Sequence, residues 1–200
     1  MRLVIATAHR ACSLALIDGE TVLASQHEMI GRGHAERLVP MIDALLAGYR
    51  PQSICVDVGP GSFTGIRVGI AAARALALAW QVPLLAVTSM QLLAARAAEI
   101  LPQNAKVSVV LDGGRGEVFL QSFEGRRPTD DVIAVRADST QIDGIAVIGT
   151  GADLIEIGDR QNLGALTPDA ADARLLPKDA FSTSVQPLYV RLPDAKPAGA

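Results

Sequence analysis

The stretch Gly59-Pro60-Gly61-Ser62-Phe63-Thr64-Gly65-Ile66-Arg67-Val68-Gly69 follows the apolar run Ile54–Val58 and opens an alanine-rich segment that ends at Trp80. This order predicts a strand, a tight glycine turn and a helix. Gly59 and Gly61 supply the conformations a sharp turn needs, and Pro60 stiffens it. Ser62 or Thr64 can cap the backbone donors that the first helical turn leaves open.

A glycine-rich turn ahead of a helix can present N–H groups to a phosphate, but neither common phosphate motif fits. In a dinucleotide fingerprint two residues separate the second and third glycines; Gly61 and Gly65 are one residue too far apart. In a P-loop a lysine follows the last glycine; here Ile66 and Arg67 follow Gly65. The turn therefore reads first as a packing device that brings a helix close to its sheet.

Between Ile66 and Trp80 only Arg67 and Arg74 are charged, and their spacing puts them on one narrow stripe. The pattern predicts a helix covered on nearly every side. Gly65, Gly69 and Ala73 recur every four residues on one face, where a mid-helix glycine costs about 1 kcal/mol relative to alanine. Close approach of another helix would offset that cost, and the helix alone does not say whether the partner is internal or another subunit.

The 200 residues are 50% hydrophobic with a mean hydropathy of +0.30, ample for one large domain or two small lobes. A net charge of -3 gives no overall basic field, so nucleic acid would need a local patch or a partner. Cys12 and Cys55 are isolated and His9, His27 and His34 are scattered, so no disulfide framework or zinc motif is expected. Arg10 and Asp18 interrupt the apolar N-terminus before a signal core or membrane span could form. A cytoplasmic protein with no membrane partner is expected.

Three β-like runs, Leu3–Ala8, Cys12–Ile17 and Val22–Gln26, predict a meander. A helix follows from His34 to Ala47, with Ala35, Leu38, Val39, Ile42, Leu45 and Leu46 at helical spacing and Pro40 expected to kink it or shift its start. Next come the strand and helix of the glycine turn, a strand at Leu84–Val87 and a helix from Ser89 to about Leu101. The resulting order is β-β-β-α-β-α. Strands are expected at Lys106–Leu111, Glu117–Phe123, Val132–Arg136 and Ile145–Gly149, a second and degraded copy of the first half by element order. Assignments from Gly151 to Asp179 are weak, and Asp194–Ala200 is expected to be a mobile tail.

The string G-P-G-S-F-T-G-I-R-V-G-I-A-A-A-R-A-L-A-L, the upstream R-G-H-A-E-R-L-V-P-M-I-D, the later L-D-G-G-R-G-E-V-F and the terminal P-L-Y-V-R resemble the TsaB (YeaZ) family. The resemblance covers residues 2 to about 124, and 187 to 193 locally. It implies an α/β, two-lobed fold of the actin, Hsp70 and sugar-kinase superfamily, each lobe a mixed sheet with helices, divided as residues 1–101 and 102–200. It also implies partnership with a TsaD-like transferase and a TsaE-like ATPase in forming threonylcarbamoyladenosine beside the anticodon of tRNA. tRNA would then be met only through the complex. No cofactor of its own is implied; ATP or ADP would sit at the interface of the complex.

Two departures bear on catalysis. TsaD-like proteins carry H-x-x-x-H at a helix start, whereas Leu38 stands four residues after His34, and one imidazole cannot hold a catalytic metal alone. The family's I-D-T-S opening is here Ile5-Ala6-Thr7-Ala8, without the acid that active members place near metal and phosphate. The expectation is a non-catalytic, dimerising scaffold whose two helices meet the partner through His34, Leu38, Met41, Ile42, Leu45, Gly65, Gly69 and Ala73. A homodimer through the same helical face would cover it when the partner is absent. The alternative is a stand-alone ATPase or small-molecule kinase, for which Asp112, Arg115 and Glu117 are the best candidates; a polar turn with Arg115 paired to Asp112 or Glu117 is the plainer reading. A metallopeptidase finds no ligand set.

Overall fold

Leu3 and Ile5 pack on one side of the opening strand and Val4 and Ala6 on the other, and all four are buried, so the first sheet is covered on both faces. The structure, a computed structural model, describes residues 1–191; the expected tail Asp194–Ala200 lies outside the described residues. Strands β1 (Arg2–Ala6), β2 (Ala11–Asp18) and β3 (Thr21–Met29) form the antiparallel meander, and β4 (Ser53–Asp57) and β5 (Leu84–Val87) join in parallel beyond β1, giving the order β3-β2-β1-β4-β5. Helices α1 (His34–Leu46) and α2 (Phe63–Trp80) cover the face of Leu3 and Ile5. The face of Val4 and Ala6 is covered by α3 (Ser89–Ala98) and by a 3-10 segment, Ala170–Leu175.

The second sheet contains β6 (Lys106–Gly114), β7 (Glu117–Glu124), β8 (Arg127–Pro128), β9 (Ile133–Arg136), β10 (Ala146–Ile148) and β11 (Gln161–Asn162). β7 is antiparallel to both β6 and β9, while β10 runs parallel to β6 and β11 parallel to β10. The row β9-β7-β6-β10-β11 thus repeats β3-β2-β1-β4-β5 in order and in sense. Duplication expected from element order alone is a duplication of sheet topology.

The helices did not follow. Where the first lobe has α1 and α2, the second has the 3-10 turns Ala137–Ser139 and Ala152–Leu154 among the described residues. Its sheet is covered instead by α3, which turns Leu92 and Ala95 to the first lobe and Met90, Leu93, Ala94 and Ala97 to the second. Nearly all-round apolar character is what a helix shared by two sheets requires.

A division at residue 101 is crossed again farther on. Ala170, Ala173 and Leu176 pack on the first sheet, Ser182 bridges to Ala86, and Leu188 donates its N–H to the Val58 carbonyl at 2.8 Å. Residues 170–188 therefore belong with the first lobe by packing.

Two helix expectations need correction. α1 runs from His34 to Leu46 with exposed Pro40 inside it, so the helix does not start after the proline. Its buried face is His34, Leu38, Met41, Ile42, Leu45 and Leu46; Ala35 and Val39 sit at the far edge of that stripe, and Val39 is 63% exposed. α2 is covered along one face only, the one carrying Gly65, Ile66, Gly69, Ile70, Ala73 and Ala77, while Leu78 is 81% exposed. α2 is long and apolar enough to cross a membrane by length and composition; here that one face packs on the first sheet.

Candidate interlobe site

The parallel strands β1 and β4 end at the same edge of the first sheet, and the turns that leave them face the second lobe. Ser62 caps α2, its Oγ accepting from Gly65 N at 3.2 Å, and donates its own N–H to the Ala8 carbonyl at 2.7 Å. A Cβ on Gly61 would lie 2.2 Å from the Ala8 oxygen, one on Gly65 2.1 Å from the Thr7 oxygen, and one on Gly69 2.4 Å from Thr7 Oγ1. Buried Thr7 completes the clamp by donating its hydroxyl to the Gly65 carbonyl at 2.8 Å. The small-residue stripe thus serves close approach of α2 to the end of β1 in its own lobe.

Of the expected contact set, Leu38, Met41, Ile42, Leu45, Gly65, Gly69 and Ala73 are buried within the first lobe. His34 is also inside, 8% exposed, with Nε2 3.3 Å from the Ala11 carbonyl oxygen. What the two helices leave outside includes Val39, Phe63 and Leu78.

Between the lobes lies a cavity of about 1070 Å³, walled by the β1–β2 turn, the loop before α1, the glycine turn, the β6–β7 hairpin and the segment Leu188–Arg191. Of the three residues expected on the hairpin, Asp112 lies in the wall, and its Oδ1 accepts from Gly114 N at 2.8 Å. Glu117 pairs with Arg191 at 2.7 Å, and Arg191 also donates to the Gly113 carbonyl at 2.9 Å. The Glu117 carboxylate is thus held by the C-terminal segment, and Arg115 stands at the hairpin tip in a left-handed conformation, φ 60°.

The residues present do not fit a magnesium nucleotide. Ala6, where an acid would stand, packs its methyl into the α3 side of the core. Among the described residues no three His, Cys, Asp or Glu side chains group closely enough to hold a metal.

Three site residues escaped the sequence. Asp57 ends β4 fully buried, accepting from Gly59 N at 2.9 Å and from Ser89 Oγ at 2.7 Å; burial outweighs these bonds and pushes its carboxyl up to about 7. His9, in the cavity wall, is held at about 4 by burial against the opposing pull of a backbone hydrogen bond with Pro60, and its Nε2 is buried without a partner. Tyr189 stacks on Phe63 with ring centroids 4.9 Å apart. Arg67 lies 3.9 Å over the Phe63 ring and donates from Nε to the Tyr189 hydroxyl at 3.0 Å. A carboxylate directly before a glycine turn was a legible signal; the meeting of two motifs 122 positions apart was not.

Residues 20–145 match the family model described as TsaD, tRNA N6-adenosine threonylcarbamoyltransferase. The chain is 33% identical over 127 residues to the tRNA threonylcarbamoyladenosine biosynthesis protein TsaB of Bacillus subtilis, covering 61% of this chain and 54% of that protein. It is 30% identical over 190 residues to an uncharacterized protein of Mycobacterium bovis, covering 88% and 83%. The chain spans about half the length of the TsaB relatives it matches. Among solved structures, YeaZ from Pseudomonas aeruginosa superposes with a TM-score of 0.79 at 28% identity, covering 94% of this chain and 98% of that one. With the pair of repeated sheets and the two motifs joined at one cavity, these matches make the chain a member of the tRNA N6-adenosine threonylcarbamoyltransferase (TsaD) family, in its TsaB (YeaZ) group.

Proposed function

We propose that this protein is a non-catalytic partner of a TsaD-like transferase, working with a TsaE-like ATPase in the formation of threonylcarbamoyladenosine on tRNA. The observation that carries this reading is the cavity itself: the end of β1, where an active member of the fold needs an acid, is Ala6 and Thr7, and the Thr7 hydroxyl is committed to holding α2. A cavity that keeps its shape without metal-binding groups supports positioning rather than phosphoryl transfer. Any ATP or ADP would then be bound jointly with a partner, and the protein would work in the cytoplasm.

The pairing surface is the outer side of α1 and α2, around Val39 and Leu78. Both are large apolar side chains on helices packed side by side on one sheet face, and covering them removes apolar surface from water. In the absence of a transferase a second copy would cover the same face.

The test is co-purification with the TsaD-like protein of the same cell, followed by tRNA modification with and without this chain. Modification that requires both proteins supports the proposal; modification undiminished in its absence refutes it. Leu78→Asp, at a solvent-exposed position, is expected to leave folding intact and weaken pairing; unchanged pairing places the interface elsewhere. Turnover of ATP by this chain alone would restore the kinase alternative.

A further inference from the structure

We propose that the rim of the interlobe cavity is a contact surface for single-stranded RNA, with Arg10 and Arg32 meeting backbone phosphates and the Phe63–Tyr189 pair stacking an unpaired base. The proposal rests on the function proposed above, in which the chain works beside a tRNA loop.

The two arginines are brought together by the backbone. Ile30 N and Gly31 N both donate to the Arg10 carbonyl, at 3.1 and 2.8 Å, which seats the loop before α1 on the β1–β2 turn. Arg10 and Arg32 therefore emerge from adjacent turns at one edge of the cavity, both exposed and neither in an ion pair among the described residues. Elsewhere on the surface Arg37, Arg126, Arg127 and Arg136 each hold a carboxylate. Glu36 and Asp112 are the carboxylates in the cavity wall, and Asp112 is held toward its own hairpin by a hydrogen bond from Gly114 N. A chain of net charge -3 thus carries a local cationic edge.

Two further features sharpen the chemistry. α1 begins after Gly33 with no side-chain cap, so the first-turn N–H groups at the cavity wall are left to a ligand, and the buried Nε2 of His9 in the same wall has no partner. The Phe63–Tyr189 pair remains 41% and 39% exposed although its rings are stacked and bound to Arg67. A free anion has no use for an aromatic face, and a polyphosphate would lack its metal. Cations and aromatic rings lining one groove are how proteins hold unpaired strands, because every base has a π-face and every linkage a charge.

The experiment is fluorescence anisotropy of a short fluorescein-labelled single-stranded RNA with the full chain, alone and paired with the transferase, across a salt series. R10A/R32A is expected to reduce the slope of log K on log salt by about 1.4, two phosphates at ~0.7 each. Y189A is expected to weaken binding by about 5- to 150-fold at every salt concentration, whereas Y189F, which keeps the ring, binds like wild type. E36Q is expected to tighten binding. No detectable RNA binding by wild type at low salt, or R10A/R32A and Y189A binding as tightly as wild type, overturns the proposal. So does binding of ATP but not RNA, or loss of transferase pairing without loss of RNA binding in these variants. Pairing measured on the same samples separates the two readings: wild type that fails to pair refutes the proposed function, while intact pairing without RNA binding refutes only this inference.

Discussion

Gly65→Ala tests whether the small-residue stripe belongs to this lobe or to a partner. The added Cβ would stand 2.1 Å from the Thr7 carbonyl oxygen, and the contact must open by about 1 Å before it is sterically tolerable. Since the obstacle is backbone just past the end of the central strand β1, α2 has to move, at a cost of about 1–3 kcal/mol. The same movement stretches the 2.8 Å bond from Thr7 Oγ1 to Gly65 O, whose donor is buried, for about 1–3 kcal/mol more. Alanine returns no more than about 1 kcal/mol through helix propensity. The net expectation is a destabilisation of about 2–4 kcal/mol, read as a lower urea midpoint and a melting temperature lower by about 5–15 °C. Gly69→Ala meets the Thr7 hydroxyl rather than backbone, so Thr7→Ala should relieve its steric cost, whereas for Gly65→Ala it should remove only the share due to the stretched hydroxyl bond and leave the backbone clash in place. Ala71→Gly, on the exposed side, should cost only about 1 kcal/mol. Gly65→Ala as stable as wild type would refute the clamp and return the stripe to an external helix.

Asp57→Asn should flatten the pH dependence of stability. A carboxyl raised from 3.8 to about 7 binds more protons folded than unfolded, so wild type loses stability as pH rises through that window; equal slopes for the two proteins in urea melts at pH 4 to 8 would refute it. His27 is raised above 6.5, chiefly by the Asp169 carboxylate 3.6 Å from its Nδ1, so its contribution is present below the unfolded pKa and lost as pH rises through the folded one. A wild-type minus His27→Gln stability difference that does not fall with rising pH would count against it. Phe123→Ala empties a fully buried position between α3 and the second sheet and should cost about 3–5 kcal/mol by urea denaturation; a loss below 1 kcal/mol would mean that α3 does not seal that sheet.

Local pattern was enough for much of the fold and little of the site. The meander, the glycine turn and the strand at Leu84–Val87 follow from period-2 burial and turn chemistry, which neighbouring residues largely decide. The duplicated sheet could be inferred from order because a strand needs only its own alternation to form. The departures at Ala6 and Leu38 were legible as residue types, since a residue type can be read without its surroundings. Which side of each helix is covered was not legible: the Gly65, Gly69 and Ala73 stripe fits any close neighbour, and only the placement of Thr7 reveals that the neighbour is β1. The Phe63–Tyr189 stack, the Glu117–Arg191 pair and the sharing of α3 between two sheets join residues distant in sequence. The sequence by itself determined the elements and which residue types stand at the end of β1 and the start of α1; the tertiary structure alone decided which surfaces remain free, because exposure depends on what the rest of the chain brings alongside.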